Sequence, residues 1–268
     1  FGAWAASFNE MAQALEAKIA DLSEAGERER RFTSDVAHEL RTPLTALVSE
    51  ASLLREHLDQ MPEEARRPAE LLVSDVARLR RLVEDLMEIS RFDAGREVVL
   101  AEPVDVPSVV VGTLRARGWE SRVEVRAQPL VLRTDRRRLE RIVGNLVGNA
   151  LEHGGRDVSV TVARDGTGAF VEVADRGHGI APEHLAHLFD RFYKADPSRS
   201  SPGSGLGLGI AMENARLLGG DIRVWSEVGT GSTFTLSLPV TEPLPATGPE
   251  VAGPDHDEVH IDSEGGPR

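Results

Sequence analysis

The chain has 268 residues, 40% of them hydrophobic but only 4% aromatic, and its formal net charge is −13. This length predicts about two domains, and the acidic charge argues against a nucleic-acid-binding protein, which would normally carry a basic patch. The absence of cysteine excludes disulfides and thiolate metal sites, and no run of about 18 apolar residues occurs that would predict a membrane-spanning helix.

The first 27 residues are predicted to form an amphipathic helix. Apolar side chains from Trp4 to Ala25 fall near the a and d positions of a seven-residue repeat, which is typical of a coiled coil or a helical bundle. A simple surface helix is the alternative. Because the chain begins at Phe1, inside this helix pattern, we expect it to be a fragment of a longer protein.

The next segment places a histidine and an acid side by side on a helix. Between residues 32 and 47 the apolar residues recur at steps of three and four, which is the pattern of one helix face. His38 and Glu39 lie in this segment, Thr42 follows His38 by about one helical turn, and Pro43 comes next. Taken alone, the arrangement would be interpreted as a surface histidine on an amphipathic helix.

Two long helices are predicted within residues 28–95. The apolar stripe continues to Leu58, residues 59–62 form a turn, and a second helix ends near Gly95. Two antiparallel helices with one apolar face each cannot bury those faces alone, whereas two such hairpins bury them in a four-helix bundle. The pattern therefore predicts a homodimer held by residues 32–91.

From residue 96 onward the sequence alternates between helix and strand patterns. A short strand and a linker are predicted over residues 98–106, a helix over 108–117, and a second helix from Thr134 or Asp135 to Glu152 with an apolar buried side. Further strands are predicted over residues 122–128, 158–163, 169–174, 221–226 and 232–238. These elements predict a mixed sheet covered on one face by helices, an α/β sandwich.

Two asparagines lie one turn apart in the second of these helices, at Asn145 and Asn149. They share a helix face, and their amide oxygens can bind Mg²⁺ or phosphate without adding net charge. A structural role is the alternative for either residue alone.

An acid follows the strand predicted over residues 169–174. Asp175 is followed by Gly177 and Gly179, so its carboxylate can accept the exocyclic amine of adenine while the glycines let the backbone approach the base. By itself this D-x-G-x-G pattern also occurs in ordinary turns.

Two further motifs precede the last two strands. Residues 188–194 combine aromatic and basic side chains, and Arg191 or Lys194 is suited to reach a phosphate. A glycine-rich stretch then leads directly into a helix, whose N-terminus favours anionic phosphate; its key residues are Gly203, Gly205, Leu206 and Gly207. No G-K-[ST] follows, so the stretch is not a Walker loop.

Together these motifs resemble those of the two-component sensor histidine kinases. The string H-E-L-R-T-P from His38 to Pro43 is similar to the family's phospho-acceptor box. The four later motifs are similar, in order and spacing, to the N, G1, F and G2 boxes of its Bergerat (GHKL) ATP-binding domain, and residues 229–234 to the closing glycine motif. Residues 7–22 resemble the last helix of a HAMP linker.

The resemblance implies a kinase that phosphorylates itself on His38 and passes the phosphoryl group to an aspartate on the receiver domain of a response regulator. Glu39 would fix the tautomer of His38, and Thr42 would orient a water that removes phosphate from the regulator. ATP and Mg²⁺ are the implied ligands, with Asn149 preferred over Asn145 for the metal. The residues expected to hold the nucleotide are Asn145, Asn149, Asp175, Gly177, Gly179, Lys194, Gly203, Gly205, Leu206 and Gly207.

Four regions are therefore expected. Residues 1–27 would be the end of a HAMP-like linker, 28–95 the dimerisation and phosphotransfer hairpin, and 96–240 the ATP-binding sandwich. Residues 241–268 hold seven acids and five prolines against one arginine, which predicts a disordered acidic tail. A membrane anchor upstream would make the chain the cytoplasmic portion of an inner-membrane protein.

Two other classes of function are alternatives. An ATP-driven clamp, like gyrase, Hsp90 and MutL, would need a catalytic glutamate; Glu140 lies in the asparagine helix, but Asn145 occupies the position where those relatives carry it. A non-catalytic scaffold would be expected to have lost some of the asparagine and glycine positions, and all of them are present.

Overall fold

The computed structural model describes residues 39–40, 42–95, 97–155, 157–166, 168–195 and 203–240. His38, the helix predicted over residues 1–27 and the acidic tail predicted over residues 241–268 lie outside these described residues. Across the described ranges, no helix combines the length and the apolar character needed to cross a membrane.

The N-terminal part is a helical hairpin. Helix α1 (residues 42–56) is followed by a short 3₁₀ turn, Leu58–Gln60, and α2 spans Glu63–Asp93. The Arg66 guanidinium donates to two carbonyl oxygens of this turn, at 3.0 and 3.1 Å, and Gly95 ends α2 with a φ of 61°. Both the turn and the end of the second helix were predicted and are confirmed.

The hairpin buries few side chains within one chain. Leu44, Val83 and Met87 form a small cluster with Val48. Several other leucines of the hairpin region are exposed, among them Leu40, Leu47, Leu53, Leu71, Leu72 and Leu79. The apolar face that the sequence predicted is therefore only partly covered within one chain.

The C-terminal part is an α/β sandwich with two sheets. A small sheet pairs β1 (Glu102–Asp105) antiparallel with β3 (Val131–Thr134), and α3 (Val106–Ala116) follows β1 directly. The main sheet has the order β2-β4-β5-β7-β6. Its strands are β2 (Val123–Ala127), β4 (Val158–Asp165), β5 (Gly168–Asp175), β6 (Asp221–Glu227) and β7 (Gly231–Pro239).

Pairing in the main sheet is antiparallel except between β2 and β4. Helices α4 (Arg136–His153) and α6 (Gly207–Leu217) contribute buried side chains to the same core as the sheet. A short α5 (Pro182–Leu185) lies in the connection after β5. The predicted mixed sheet with helices is confirmed.

Helix α4 begins at a cap that the sequence identified. The Asp135 carboxylate accepts the backbone N–H groups of Arg137 (3.0 Å) and Arg138 (3.2 Å), which satisfies donors that the first helical turn leaves open. Thr134, the alternative cap, ends β3 instead. All six side chains predicted for the buried face are fully buried: Leu139, Ile142, Val143, Leu146, Val147 and Ala150.

The strands follow the prediction with one exception. Of the strand and linker predicted over residues 98–106, the strand is β1, and it ends at Asp105 because Pro107 lies in the first turn of α3, where its fixed φ and missing N–H favour a helix start. Strand β3 was not predicted. It has only four residues, lies directly before the cap of α4, and is specified by its pairing with β1.

The two parts contact each other along α2. Ile89 packs against Leu206 and Ile210, with Phe92 beside them. Arg141 of α4 donates to Glu88 at 2.7 Å and pairs with Asp85. The hairpin helix thus lies against α4 and α6 through an apolar cluster and an adjacent ion-pair network.

Candidate functional site

A cavity of about 830 Å³ lies between α2, α4 and the segment that leads into α6. This volume is within the range of small-molecule sites. Eight of the ten residues predicted to hold a nucleotide line it, namely Asn145, Asn149, Asp175, Gly179, Lys194, Gly203, Gly205 and Gly207. Gly177 and Leu206 contact other parts of the structure.

One wall of the cavity is formed by Asp175 and the turn after it. Asp175 ends β5, and its Oδ1 accepts the N–H of Gly177 at 2.9 Å. Gly177 therefore lies behind the carboxylate and holds it in place. Gly179 has a φ of 68°, and a Cβ there would collide with the Glu227 carbonyl, so the turn requires glycine.

A second wall is the face of α4 that carries the two asparagines. Both Asn145 and Asn149 line the cavity, as their four-residue spacing predicts. The Nδ2 of Asn145 is buried and has no hydrogen-bond partner among the described residues. A buried donor without a partner is costly, so this atom is suited to a ligand oxygen such as that of a phosphate.

The glycine-rich segment forms a third wall and leads into α6. Gly203, Gly205 and Gly207 line the cavity, and α6 begins at Gly207. Leu206 is instead buried against α2, so its role is to anchor the segment. Ser204 accepts the Leu206 N–H at 3.2 Å and donates to Asp85 at 3.4 Å.

The aromatic segment before it is held against this glycine-rich wall. Phe192 has a φ of 64°, unusual for a residue other than glycine, and its N–H donates to the Gly205 carbonyl at 2.9 Å. Tyr193 shares a 2.8 Å hydrogen bond with Nδ1 of His184. Lys194 lines the cavity as predicted.

Arg191, which the aromatic and basic pattern made a second candidate for phosphate binding, has a different partner. It donates to both carboxylate oxygens of Asp93 in α2, at 2.7 and 2.8 Å. This hydrogen-bonded pair raises the pKa of Arg191. Its guanidinium is therefore engaged in the contact between the hairpin and the sandwich.

The ion pairs beside the cavity are partly desolvated. Burial raises the pKa of Asp85, and this effect outweighs the opposite effect of Arg141. Burial by itself would lower the pKa of Arg141, but Glu88 and Asp85 together raise it. Arg141 is therefore charged at neutral pH, and the Asp85 carboxyl group has a pKa above its ordinary value.

Some residues of the cavity had no motif to indicate them. Arg78, Arg81 and Asp85 come from α2, whereas Arg117, Trp119 and Arg122 follow α3. They lie far from the four motifs in sequence. Arg117 and Trp119 reach the cavity because they pack against Gly144 and Gly148 of α4, and the α2 residues reach it because α2 docks on the sandwich. The pairing of Arg141 with two α2 acids has the same origin.

The predicted phospho-acceptor region lies apart from this cavity in the described residues. Glu39 and Thr42 are both helical and exposed, and neither lines the cavity. A separation of the acceptor segment from the nucleotide pocket is expected when the two belong to different domains.

The fold and the cavity define a helical hairpin joined to a sandwich of the ATP-binding type, and comparison with known families agrees. Residues 28–95 match the His Kinase A (phospho-acceptor) domain. Residues 134–242 match the histidine kinase-, DNA gyrase B- and HSP90-like ATPase family.

Similar proteins cover nearly the whole chain. The signal transduction histidine-protein kinase AfsQ2 of Streptomyces coelicolor is 44% identical over 263 residues, which is 94% of this chain and 49% of AfsQ2. The sensor histidine kinase MtrB of Mycobacterium tuberculosis is 42% identical over 258 residues, 90% of this chain and 46% of MtrB. The chain thus spans about half the length of these curated relatives. It belongs to the two-component sensor histidine kinases.

Solved structures show the same architecture. Full-length ShkA in complex with AMPPNP is 29% identical with a TM-score of 0.63, over 78% of this chain and 45% of ShkA. The histidine kinase AdeS of Acinetobacter baumannii, at 24% identity and a TM-score of 0.54, covers 76% of this chain and 98% of AdeS, and it supports the fold alone.

Proposed function

We propose that this chain is an ATP-dependent protein-histidine kinase that phosphorylates His38 and passes the phosphoryl group to an aspartate of a response regulator. The observation that carries the proposal is the cavity between α2, α4 and the start of α6. Residues from four separate motifs, predicted to bind a nucleotide, converge there. The match of residues 28–95 to a phospho-acceptor domain supplies the other half of the reaction.

The nucleotide would lie along α4. Asp175 would accept the exocyclic amine of adenine, and the backbone N–H groups at the start of α6 would donate to phosphate oxygens. The unpartnered Nδ2 of Asn145 fits a phosphate oxygen. Neutral amides beside a triphosphate add no further negative charge, so they suit an anionic ligand better than carboxylates do.

Mg²⁺ fits the same residues. It prefers oxygen ligands in octahedral geometry and keeps several waters, so Asn149, with Asn145 as a second candidate, would supplement phosphate oxygens. Within the described ranges no three His, Asp or Glu side chains converge on a possible metal position. When bound, the ion would neutralise charge on the phosphates.

His38 would attack as a neutral imidazole. An ordinary histidine has a pKa of about 6.5, so much of it is the free base at neutral pH. Glu39 would accept the other ring N–H, which fixes the tautomer and stabilises the positive charge that develops. Positioning and charge neutralisation would supply most of the rate.

Thr42 would serve a second, hydrolytic activity. Thr42 follows His38 by about one helical turn and is exposed on α1. Its hydroxyl can both donate and accept a hydrogen bond. We infer that it orients a water against the phosphoaspartate of a docked regulator. Thr42→Ala should keep self-phosphorylation but slow the decay of purified phosphorylated regulator; decay as fast as with the unaltered chain would remove Thr42 from the chemistry.

Two partners are part of the proposed function. The exposed leucines of α1 and α2 support a homodimer through a four-helix bundle, and the receiver domain of a response regulator is the expected phosphoryl acceptor. A membrane anchor preceding the given residues, with this portion in the cytoplasm, remains part of the proposal.

The clamp alternative is less well supported. The Glu140 side chain pairs with Arg136 at 2.9 Å, and the pair is about half exposed. Glu140 does not line the cavity, so it is poorly placed to activate a water on a bound nucleotide.

Labelling with γ-³²P-ATP separates the functions. A kinase of this type gains label that is stable in alkali and lost in acid, the behaviour of phosphohistidine. Release of free phosphate without labelling of the protein would support the clamp. A protein that shows neither would be a scaffold, and the proposed reaction would be wrong.

A further inference from the structure

Four arginines that belong to none of the motifs also line the cavity. Arg78 and Arg81 lie on α2, Arg117 follows α3, and Arg122 follows in the turn before β2. We call them the arginine cluster. Among the described residues none of the four pairs with a carboxylate, whereas the neighbouring Arg80 and Arg115 pair with Glu84 (2.7 Å) and Glu120 (3.1 Å).

Arg117 is the most constrained member of the cluster. Its guanidinium lies 5.1 Å from the centre of the Trp119 ring, and its Nη1 is 3.5 Å from the Gly144 carbonyl. A Cβ at Gly144 would collide with this guanidinium. Helix α4 therefore leaves room at residue 144 for a positive charge that forms no ion pair with a described carboxylate.

The charges around Arg117 are of the same sign. Burial lowers the pKa of Arg117, and Arg141 and Arg81 lower it further, while Asp85 acts in the opposite direction. Because Arg141 already pairs with Asp85 and Glu88, the uncompensated charges are Arg81 and Arg117. An anion placed between them would relieve this repulsion.

The position of the arginine cluster along α4 indicates which anion the cluster would bind. The Asp175 side chain packs against Gly154, just after α4, whereas Arg117 packs against Gly144. Ten residues of helix separate these two glycines, a distance of about 15 Å. Asn149 and Asn145 lie between these glycines in that order. The proposed contacts with adenine (Asp175), with the metal (Asn149) and with phosphate (Asn145) therefore follow one another along α4 towards Arg117.

We propose that Arg81 and Arg117, supported by Arg78 and Arg122, bind the terminal phosphate of the nucleotide. An extended nucleoside triphosphate that begins at Asp175 covers the distance to this end of α4. The inference rests on the proposed binding of ATP. It adds that a hairpin residue, Arg81, completes the nucleotide site when α2 lies against α4 as in this structure.

The test compares a triphosphate with a diphosphate. Arg81→Gln and Arg117→Gln are measured in the full chain with Mg²⁺, using the β,γ-imido analogue of ATP and ADP in titration calorimetry. Each substitution should weaken the analogue about tenfold, the effect of one lost charge-assisted hydrogen bond. ADP affinity should change less than about twofold, because ADP lacks the terminal phosphate.

Each variant has a matched control. Arg80→Gln and Arg115→Gln remove arginines of the same segments that pair with exposed acids, and they should leave both affinities unchanged. Arg117→Lys keeps the charge and should recover part of the affinity lost in Arg117→Gln; no recovery would indicate that the Gln variant acts through disturbed packing.

The outcomes are distinct. If the cluster variants bind the analogue as tightly as the unaltered chain does, the arginine cluster does not bind the terminal phosphate. The same conclusion follows if their affinity for ADP falls as much as their affinity for the analogue. If the unaltered chain binds neither nucleotide, the proposed function itself fails. Only a loss confined to the triphosphate supports the assignment.

Discussion

The hairpin and the sandwich differ in how completely one chain buries its apolar residues. The sandwich has one continuous core across β-strands and helices, in which Leu139, Val173 and Phe234 are fully buried. The hairpin has a cluster of only three buried residues, and leucines on both helices stay exposed. The sandwich thus buries its core within one copy, whereas the hairpin leaves apolar side chains exposed that the proposed homodimer would cover.

The largest expected effect is in the sandwich core. Phe234→Ala should lower the free energy of unfolding by about 3–5 kcal/mol, because it removes a fully buried ring and leaves a cavity. Chemical denaturation followed by circular dichroism measures this. Val228→Ala, at a residue that is 65% exposed, should change stability by less than about 0.5 kcal/mol. A loss below about 1 kcal/mol for Phe234→Ala would contradict the described core.

The contact between the two regions should be the next most sensitive. Arg141→Ala removes the shared partner of Asp85 and Glu88, whose side chains are 13% and 14% exposed. It should weaken the docking of α2 by up to about 3 kcal/mol. Amide hydrogen exchange in residues 85–92 reports the change.

Arg136→Ala is the control for this prediction. It lies on the same helix, and its pair with Glu140 is half exposed, so its removal should cost only about 0.3–0.5 kcal/mol. Equal exchange in the two variants would show that Arg141 does not hold the regions together.

The dimer prediction concerns the hairpin alone. Leu72→Ala removes a side chain that is 52% exposed in one chain, so each copy should lose about 1 kcal/mol of burial at the interface. A symmetric dimer loses this twice, which raises its dissociation constant roughly thirtyfold. Sedimentation equilibrium measures the constant. Val98→Ala, exposed but outside the hairpin, should leave it unchanged, and an equal effect of both would argue against this interface.

The smallest expected effect is at Asp85. Because burial raises its pKa in the folded chain, its contribution to stability is most favourable below its unfolded pKa and declines as the pH rises through the folded value. Asp85→Asn should therefore change docking by less than about 1 kcal/mol at neutral pH. It should also flatten the pH dependence of α2 exchange above about pH 4, the ordinary pKa of an aspartate. A steeper pH dependence in Asp85→Asn would contradict a raised pKa of Asp85.

Local patterns predicted much of the fold and most of the cavity. The cap at Asp135 and the buried face of α4 follow from short-range rules, since both depend on residues a few positions apart. Asn145, Asp175 and Gly205 were identifiable because their motifs are contiguous in sequence. Asn145 and Asn149 face one cavity because a helix brings residues four apart to the same side.

Contacts between distant segments were not predictable in this way. Arg141 and its two partners in α2 are more than 50 residues apart, and no local pattern specifies such a pairing. Arg191 was a candidate for phosphate until its bond to Asp93 was visible. The proposed role of Arg117 was not predictable either, because it depends on the contact with Gly144, 27 residues further along the chain.

The central claim is that the phosphoryl acceptor and the nucleotide site belong to separate regions of the chain. A pair of substitutions measured in parallel tests this claim most directly. We expect His38→Ala to lose all acid-labile label from γ-³²P-ATP while its affinity for the β,γ-imido analogue stays within about twofold of the unaltered chain. Asn149→Ala should lose nucleotide binding by about tenfold or more and remain a dimer. Persistent acid-labile label in His38→Ala, or an equal loss of nucleotide affinity in both variants, would contradict the assignment of acceptor and nucleotide to separate regions.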